Sequence, residues 1–294
     1  MRAKPDAAGL YAGLPQVAAL IGQFVAPASL LAGLLFYWGF FHLRGFCGYY
    51  GVNSSVLGFS TTDYVMRSND GLFVPVAVYG VAILAAVWGW SVLPDRIRRR
   101  AWPPGLYAAA TVLGVALLAN GVTRPFRQTV LNRHIGVAPT CVIVGLLLLW
   151  GVVTARRGAA RTATPLEWAV VLLLIGGSFF NGAAEYSLNA GVSRAGIEMG
   201  KLAAKPGLVV YSEKDLSLRQ PGVVDAPCAQ QPADQGVYRH RYSGLVLLLS
   251  TGDALLVVPR TWTPAAGSAV VLPRTGVGAL RLQFTAPRAA LPPC

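Results

Sequence analysis

Three histidines, four cysteines and twelve carboxylates are the side chains from which catalytic or metal chemistry could be assembled in this 294-residue chain. His42, His134 and His240 stand far apart, without the His/Cys spacing of a zinc site and without a His-Glu-x-x-His pair. No Gly-x-x-x-x-Gly-Lys phosphate loop occurs, nor a Gly-x-Gly-x-x-Gly turn between strand and helix. Ser243 lacks the five-residue turn of a serine nucleophile, and His240 falls in the same expected strand, so Ser243 reads as a strand residue. The expectation is a non-enzymatic protein with no metal and no cofactor. Two polar groupings remain. Asn181 and Glu185 lie four apart at the end of an apolar run, with Asn120 near the end of another. They could serve as hydrogen-bonding glue between helices or line a narrow polar path. Asn53, Ser54, Ser55, Asp63 and Asp70 sit in a segment rich in aromatic and small polar residues. There they could line a vestibule or ligand site, or lie beside an aromatic belt that anchors two helix ends.

The elements that must position these groups follow from composition. Hydrophobic residues make up 54% of the chain and charged ones 13%, about half the charged share of soluble domains, so much of the apolar surface needs lipid as its solvent. Residues 15–42 carry no charge, more than the roughly 20 residues a bilayer crossing requires. Further uncharged stretches cover 71–93, 105–122, 136–154 and 168–184, giving about five transmembrane helices. Between the first two lies the segment 44–70. Its Ser60-Thr61-Thr62-Asp63 cluster predicts a helix N-cap ahead of Tyr64, and its Tyr49, Tyr50 and Tyr64 suit an interfacial or re-entrant helix at headgroup depth.

The formal charge of +13 comes from arginines that punctuate apolar runs and lack an aromatic stacking platform, which excludes nucleic acid as a partner. With a cytoplasmic N-terminus, the inner segments hold Arg2, Lys4, Arg96, Arg98, Arg99, Arg100, Arg156, Arg157 and Arg161. The outer loops hold Arg44, Arg67, Arg124, Arg127 and Arg133. This bias of nine to five places the C-terminal part outside a cell membrane by the positive-inside rule.

Domain 1–185 is therefore expected as a membrane all-α helical bundle and 186–294 as a small α+β, mostly antiparallel β domain. Lys205-Pro206-Gly207 ends the helical pattern. Apolar strands are expected at 208–211, 238–249, 254–258, 269–272 and 280–284, with Ser250 to Asp253 as a hairpin turn. Cys228 and Cys294 both fall in this domain, where an oxidising compartment would permit a disulfide closing 66 residues and contributing on the order of 4 kcal/mol.

Tyr49-Tyr-Gly-Val-Asn53, Asp63-Tyr-Val65, Val210-Tyr-Ser212 and Tyr238-Arg-His-Arg-Tyr-Ser-Gly-Leu245 resemble segments of an uncharacterised group of polytopic membrane proteins of high-GC actinobacteria. The resemblance covers about a third of the chain and implies the two-part architecture, with no activity attached to it. Three functions are carried forward. The first is a binding, sensing or complex-forming membrane protein whose exterior domain contacts a ligand, a partner or a second copy through residues 206–285. The second is a homo-oligomeric channel with the 44–70 segment at its mouth. The third is an envelope enzyme.

Overall fold

The computed structural model describes residues 14–92, 103–157, 163–228, 237–275, 278–287 and 289–291. Among them are six α-helices followed by a C-terminal antiparallel sheet. The helices are α1 (Leu14–Tyr49), α2 (Thr61–Arg67), α3 (Asn69–Val92), α4 (Pro104–Val122), α5 (Val137–Arg157) and α6 (Pro165–Gly200). By length and composition α4, α5 and α6 can each cross a bilayer, and α3 holds a shorter apolar stretch, Phe73–Gly89. Many of their apolar side chains are exposed, Leu173 to 73% and Val112 to 70%, a surface that water would solvate poorly. The N-terminal Arg2 and Lys4, the arginines at 96–100 and Arg161 lie outside the described residues.

α1 continues for about two turns beyond its expected end at His42, while α6 runs unbroken through position 185 to Gly200, close to the Lys205-Pro206-Gly207 breaker at which the helical pattern was expected to end. The expected cap of α2 is present as a reciprocal pair: the Asp63 N–H donates to Ser60 Oγ at 3.2 Å and the Ser60 N–H donates to Asp63 Oδ2 at 2.9 Å.

α6 packs against α1, α3 and α5. Its contact with α1 is set by Ala183, Ser187, Gly191 and Ala195, which recur every four residues and are all buried. Residues at that spacing form one stripe along a helix, and small side chains let two backbones meet. A Cβ at Gly191 would stand 2.0 Å from the His42 carbonyl oxygen, and one at Gly45 2.0 Å from that of Leu188. The Ser187 hydroxyl donates to the Trp38 carbonyl at 2.6 Å. The contacts advance in step from Trp38–Ser187 to Tyr50–Ala195, so α1 and α6 run parallel and deliver their C-termini to the same place.

That place is the sheet. Its strands are β1 (Gly207–Ser212), β2 (Val224–Pro227), β3 (His240–Ser250), β4 (Ala254–Pro259), β5 (Val270–Pro273) and β6 (Leu280–Thr285). They order as β5-β4-β3-β1-β6, with β2 also pairing β3, and every pairing is antiparallel. β3 exchanges β2 for β4 at Gly244, whose φ of 85° and close approach to the Gly222 carbonyl exclude a side chain. Every residue of β4 is buried, because both faces of the sheet are covered. Leu208, Val210, Tyr242, Leu245, Leu255 and Val257 pack beneath the 216–223 loop. Val246, Leu249, Leu256, Val258 and Trp262 pack instead on the ends of α1 and α6.

Replacing Gly191 by Leu should force α1 and α6 apart and lower stability by about 3 kcal/mol. The same change at Gly176, which has nothing within 4 Å, should be nearly silent. Thermal unfolding in nanodiscs compares the two, and equal losses would contradict the close crossing.

Candidate functional site

Asn181 and Glu185 stand four residues apart on α6 and so share one face of it. Across from them is the loop between α4 and α5, residues 123–136. This loop is folded around Asn132, which is fully buried. The Asn132 amide donates to the carbonyls of Asn120 and Arg127 at 3.1 and 3.2 Å, and its Oδ1 accepts from the Thr129 N–H at 2.7 Å. Asn120 adds its own side chain, accepting from the Thr129 hydroxyl at 3.0 Å. The Asn120 amide also donates to Cys141 Sγ on α5 at 3.6 Å, so Asn120 ties the end of α4 both to the loop and to the neighbouring helix.

The loop presents Arg124 and the Gly136 N–H to Glu185. Arg124 Nη1 donates to Glu185 Oε1, the Asn181 amide donates to the same oxygen at 3.2 Å, and the Gly136 N–H reaches Oε2 at 3.3 Å. The ion-paired side chains are only 24% and 20% exposed. A carboxylate so engaged is largely satisfied, and it clamps the α4–α5 hairpin onto α6. Beside the clamp opens a cavity of about 550 Å³. Gln128, Ser178, Asn181 and the Arg124–Glu185 pair supply its polar groups, while Val142, Leu173 and Leu174 supply apolar wall. The arrangement can hold a molecule with one polar and one apolar end.

The second expected grouping is divided by the fold. Asn53, Ser54 and Ser55 do line one cavity, of about 380 Å³, together with Arg44 and Phe40. Asn53 also accepts from the Ser55 N–H at 3.1 Å, starting the 3-10 turn Ser54–Leu57. Asp63 is absent from that cavity and spends both its contacts on the Ser60 cap, with the Ser60 hydroxyl first among the causes that hold its carboxyl below the usual range. Asp70 lies in the first turn of α3, and its side chain is outside the described residues.

Of the tyrosines expected at headgroup depth, Tyr50 and Tyr64 are buried against other parts of the protein. The Tyr50 ring packs against Trp262, tilted by 56° with centroids 4.7 Å apart, and its hydroxyl donates to the Ala195 carbonyl at 3.1 Å. The Thr251 hydroxyl donates to the Leu57 carbonyl at 2.6 Å, and Leu57 is fully buried. Segment 44–70 is therefore the middle layer between helices and sheet. Arg260 adds a second tie, donating to the carbonyls of Leu202, Ala203 and Lys205 at 3.2, 2.6 and 3.0 Å, where the end of α6 leaves acceptors unsatisfied.

Sequence spacing also passed over Asp215, Asp225 and His240, whose ligand atoms lie within 4.8 Å of one another. They come from a loop, β2 and β3, and no local pattern links them. The free thiols among the described residues are Cys47 and Cys141. The expected Cys228–Cys294 bond involves Cys294, outside the described residues. No protein-family model, curated protein or solved structure matches the chain.

Glu185→Gln should keep the shape of the clamp and remove its charge, leaving Arg124 without a counter-ion. A loss of about 2 kcal/mol is expected, below the cost for a fully buried pair because both groups retain some solvent. Arg124→Ala combined with Glu185→Gln should lose less than the two single changes added together, as a double-mutant cycle on thermal stability would show.

Proposed function

We propose that this chain is a multi-pass membrane protein that binds a ligand or partner through its β domain and transmits that binding to its helices. The observation that carries the reading is the shared core: Phe46 of α1, Ala195 of α6 and Val258 of β4 belong to one buried cluster with Tyr50 and Trp262. Two parts joined by a flexible tether would bury little between them. Here α6 enters the cluster without a break, and Arg260 holds the carbonyls of Leu202, Ala203 and Lys205 in the turn that follows it. A displacement of the sheet must therefore move the ends of α1 and α6.

In this reading α1, α3, α4, α5 and α6 cross the membrane, the N-terminus is cytoplasmic and the β domain is exterior. The excess of nine over five basic residues on the inner side supports that orientation. Parallel α1 and α6 fit it as well, since both then emerge on the outer side. A Cys228–Cys294 bond belongs to the same proposal. Ion conduction has less support, because Asn181 and Glu185, the residues available to line a path, are engaged with each other and with Arg124 and Gly136.

Two measurements test the proposal. In intact cells an impermeant thiol reagent should label Val224→Cys and spare Arg99→Cys, and the reverse pattern would overturn the orientation. For the coupling, Tyr50→Ala should raise hydrogen exchange in β3 and β4 and also in residues 187–200 of α6. Loosening confined to the strands would show that the helices do not sense the sheet.

A further inference from the structure

β1 begins seven residues after α6 ends and runs away from the membrane helices for six residues, on the order of 17 Å. At its far end three elements converge. Ser212 closes β1 and pairs directly with His240 at the start of β3, and Asp225 of β2 pairs with Tyr242 of β3. Directly opposed residues in an antiparallel ladder share a face, as do positions two apart along a strand. Ser212, Asp225, His240 and Tyr242 thus occupy one face, and the loop after β1 folds Asp215 over it.

The geometry points to a binding site for one divalent transition-metal ion, held by the carboxylates of Asp215 and Asp225 and by Nδ1 of His240. One ligand atom from each residue lies within 4.8 Å of the other two, and His240 Nδ1 is 3.7 Å from Asp225 Oδ1. Ligand atoms around a tetrahedral ion at about 2.1 Å stand roughly 3.4 Å apart, so small side-chain movements close the set. Two of the three are already oriented. Asp215 Oδ1 accepts from the Tyr242 hydroxyl and from the Ser217 N–H, each at 2.7 Å, which leaves Oδ2 to face the site. The His240 ring stacks on Tyr242, 6.1 Å between centroids and 13° from parallel. Such outer contacts fix ligand direction in metal centres.

A second observation is independent of the three ligands. The Ser212 hydroxyl is fully buried and has no hydrogen-bond partner, although it sits directly across the ladder from His240. An orphaned buried hydroxyl costs about 1–3 kcal/mol unless something satisfies it. A metal-bound water beneath His240 would do so. An ordinary surface ion pair would explain Asp225 and His240, and the Tyr242 hydroxyl places Asp215, but neither satisfies the buried Ser212 hydroxyl. One imidazole with two carboxylates suits Zn2+, Mn2+, Fe2+ or Ni2+ better than Ca2+ or Mg2+, which prefer oxygen ligands alone.

This inference gives the proposed exterior binding role a ligand class and rests on that role only for its meaning, since metal binding itself needs no particular orientation. The test uses the full-length protein without a polyhistidine tag, in nanodiscs, titrated with Zn2+ alone by calorimetry and then with Mn2+, Ca2+ and Mg2+. One Zn2+ per chain is expected, with affinity falling at least tenfold in Asp225→Asn and in His240→Gln and unchanged in His134→Gln. X-ray absorption should show one imidazole and oxygen ligands. Absence of stoichiometric Zn2+ binding to the folded wild-type protein would overturn the site, as would binding that neither substitution weakens. Hydrogen exchange separates the two ideas: bound Zn2+ that protects β1 and β3 but leaves residues 187–200 of α6 unchanged would keep the site and refute the coupling.

Discussion

The close crossing of α1 and α6 is the constraint on which the rest of this molecule depends. Ala183, Ser187, Gly191 and Ala195 remove side-chain bulk from one stripe of α6, and Gly45 does the same on α1. In lipid the hydrophobic effect gives helices no reason to associate, so van der Waals contact at short range has to do it. Parallel helices locked in this way deliver Phe46, Tyr50 and Ala195 to a common end, and those residues are the floor on which the sheet is laid. Take away the crossing and the sheet loses one of its two apolar covers.

Much of this was legible in the chain. Helix positions could be read because uncharged runs of 17 to 28 residues have few other uses, and the helices start and stop within a few residues of those runs wherever Pro or Arg ends them. The overshoot of α1 was harder, since Arg44 resembles a span end, whereas the continuation of α6 past Glu185 was legible in the helical spacing that runs up to Lys205-Pro206-Gly207. The stripe from Ala183 to Ala195 was present as a period of four and could have been recognised from spacing alone. By contrast, β2 is four exposed or half-buried residues ending in Pro, too short for a pattern. Segment 44–70 has an aromatic and small-polar composition that suits a membrane interface and a buried layer equally. Its packing beneath the sheet depends on Trp262, far along the sequence, which local composition cannot show.

Asn181 and Glu185 show the same limit in the candidate site. Their spacing placed them on one face of a helix correctly, and nothing local could reveal that Arg124 and the Gly136 N–H would complete the group. The clamp converts a polar pair that lipid would reject into a satisfied tie between a hairpin and its neighbour, and it leaves a cavity with two chemical characters at its side. The interaction that makes the pair tolerable at that depth is also the one that shapes the space beside it.

The unbroken course of α6 has a mechanical consequence. A helix of 36 residues is about 54 Å long, and its intrahelical hydrogen bonds resist bending along that length. In the proposed coupling it is a lever whose short arm is the sheet, joined through the turn that Arg260 holds, and whose pivot is the contact with α1 near Gly191. The long arm reaches about 39 Å from that pivot to Pro165. Tilting the short arm by about 5° swings the far end by about 3 Å, enough to shift Trp168 relative to Trp150, whose rings now meet at 5.2 Å.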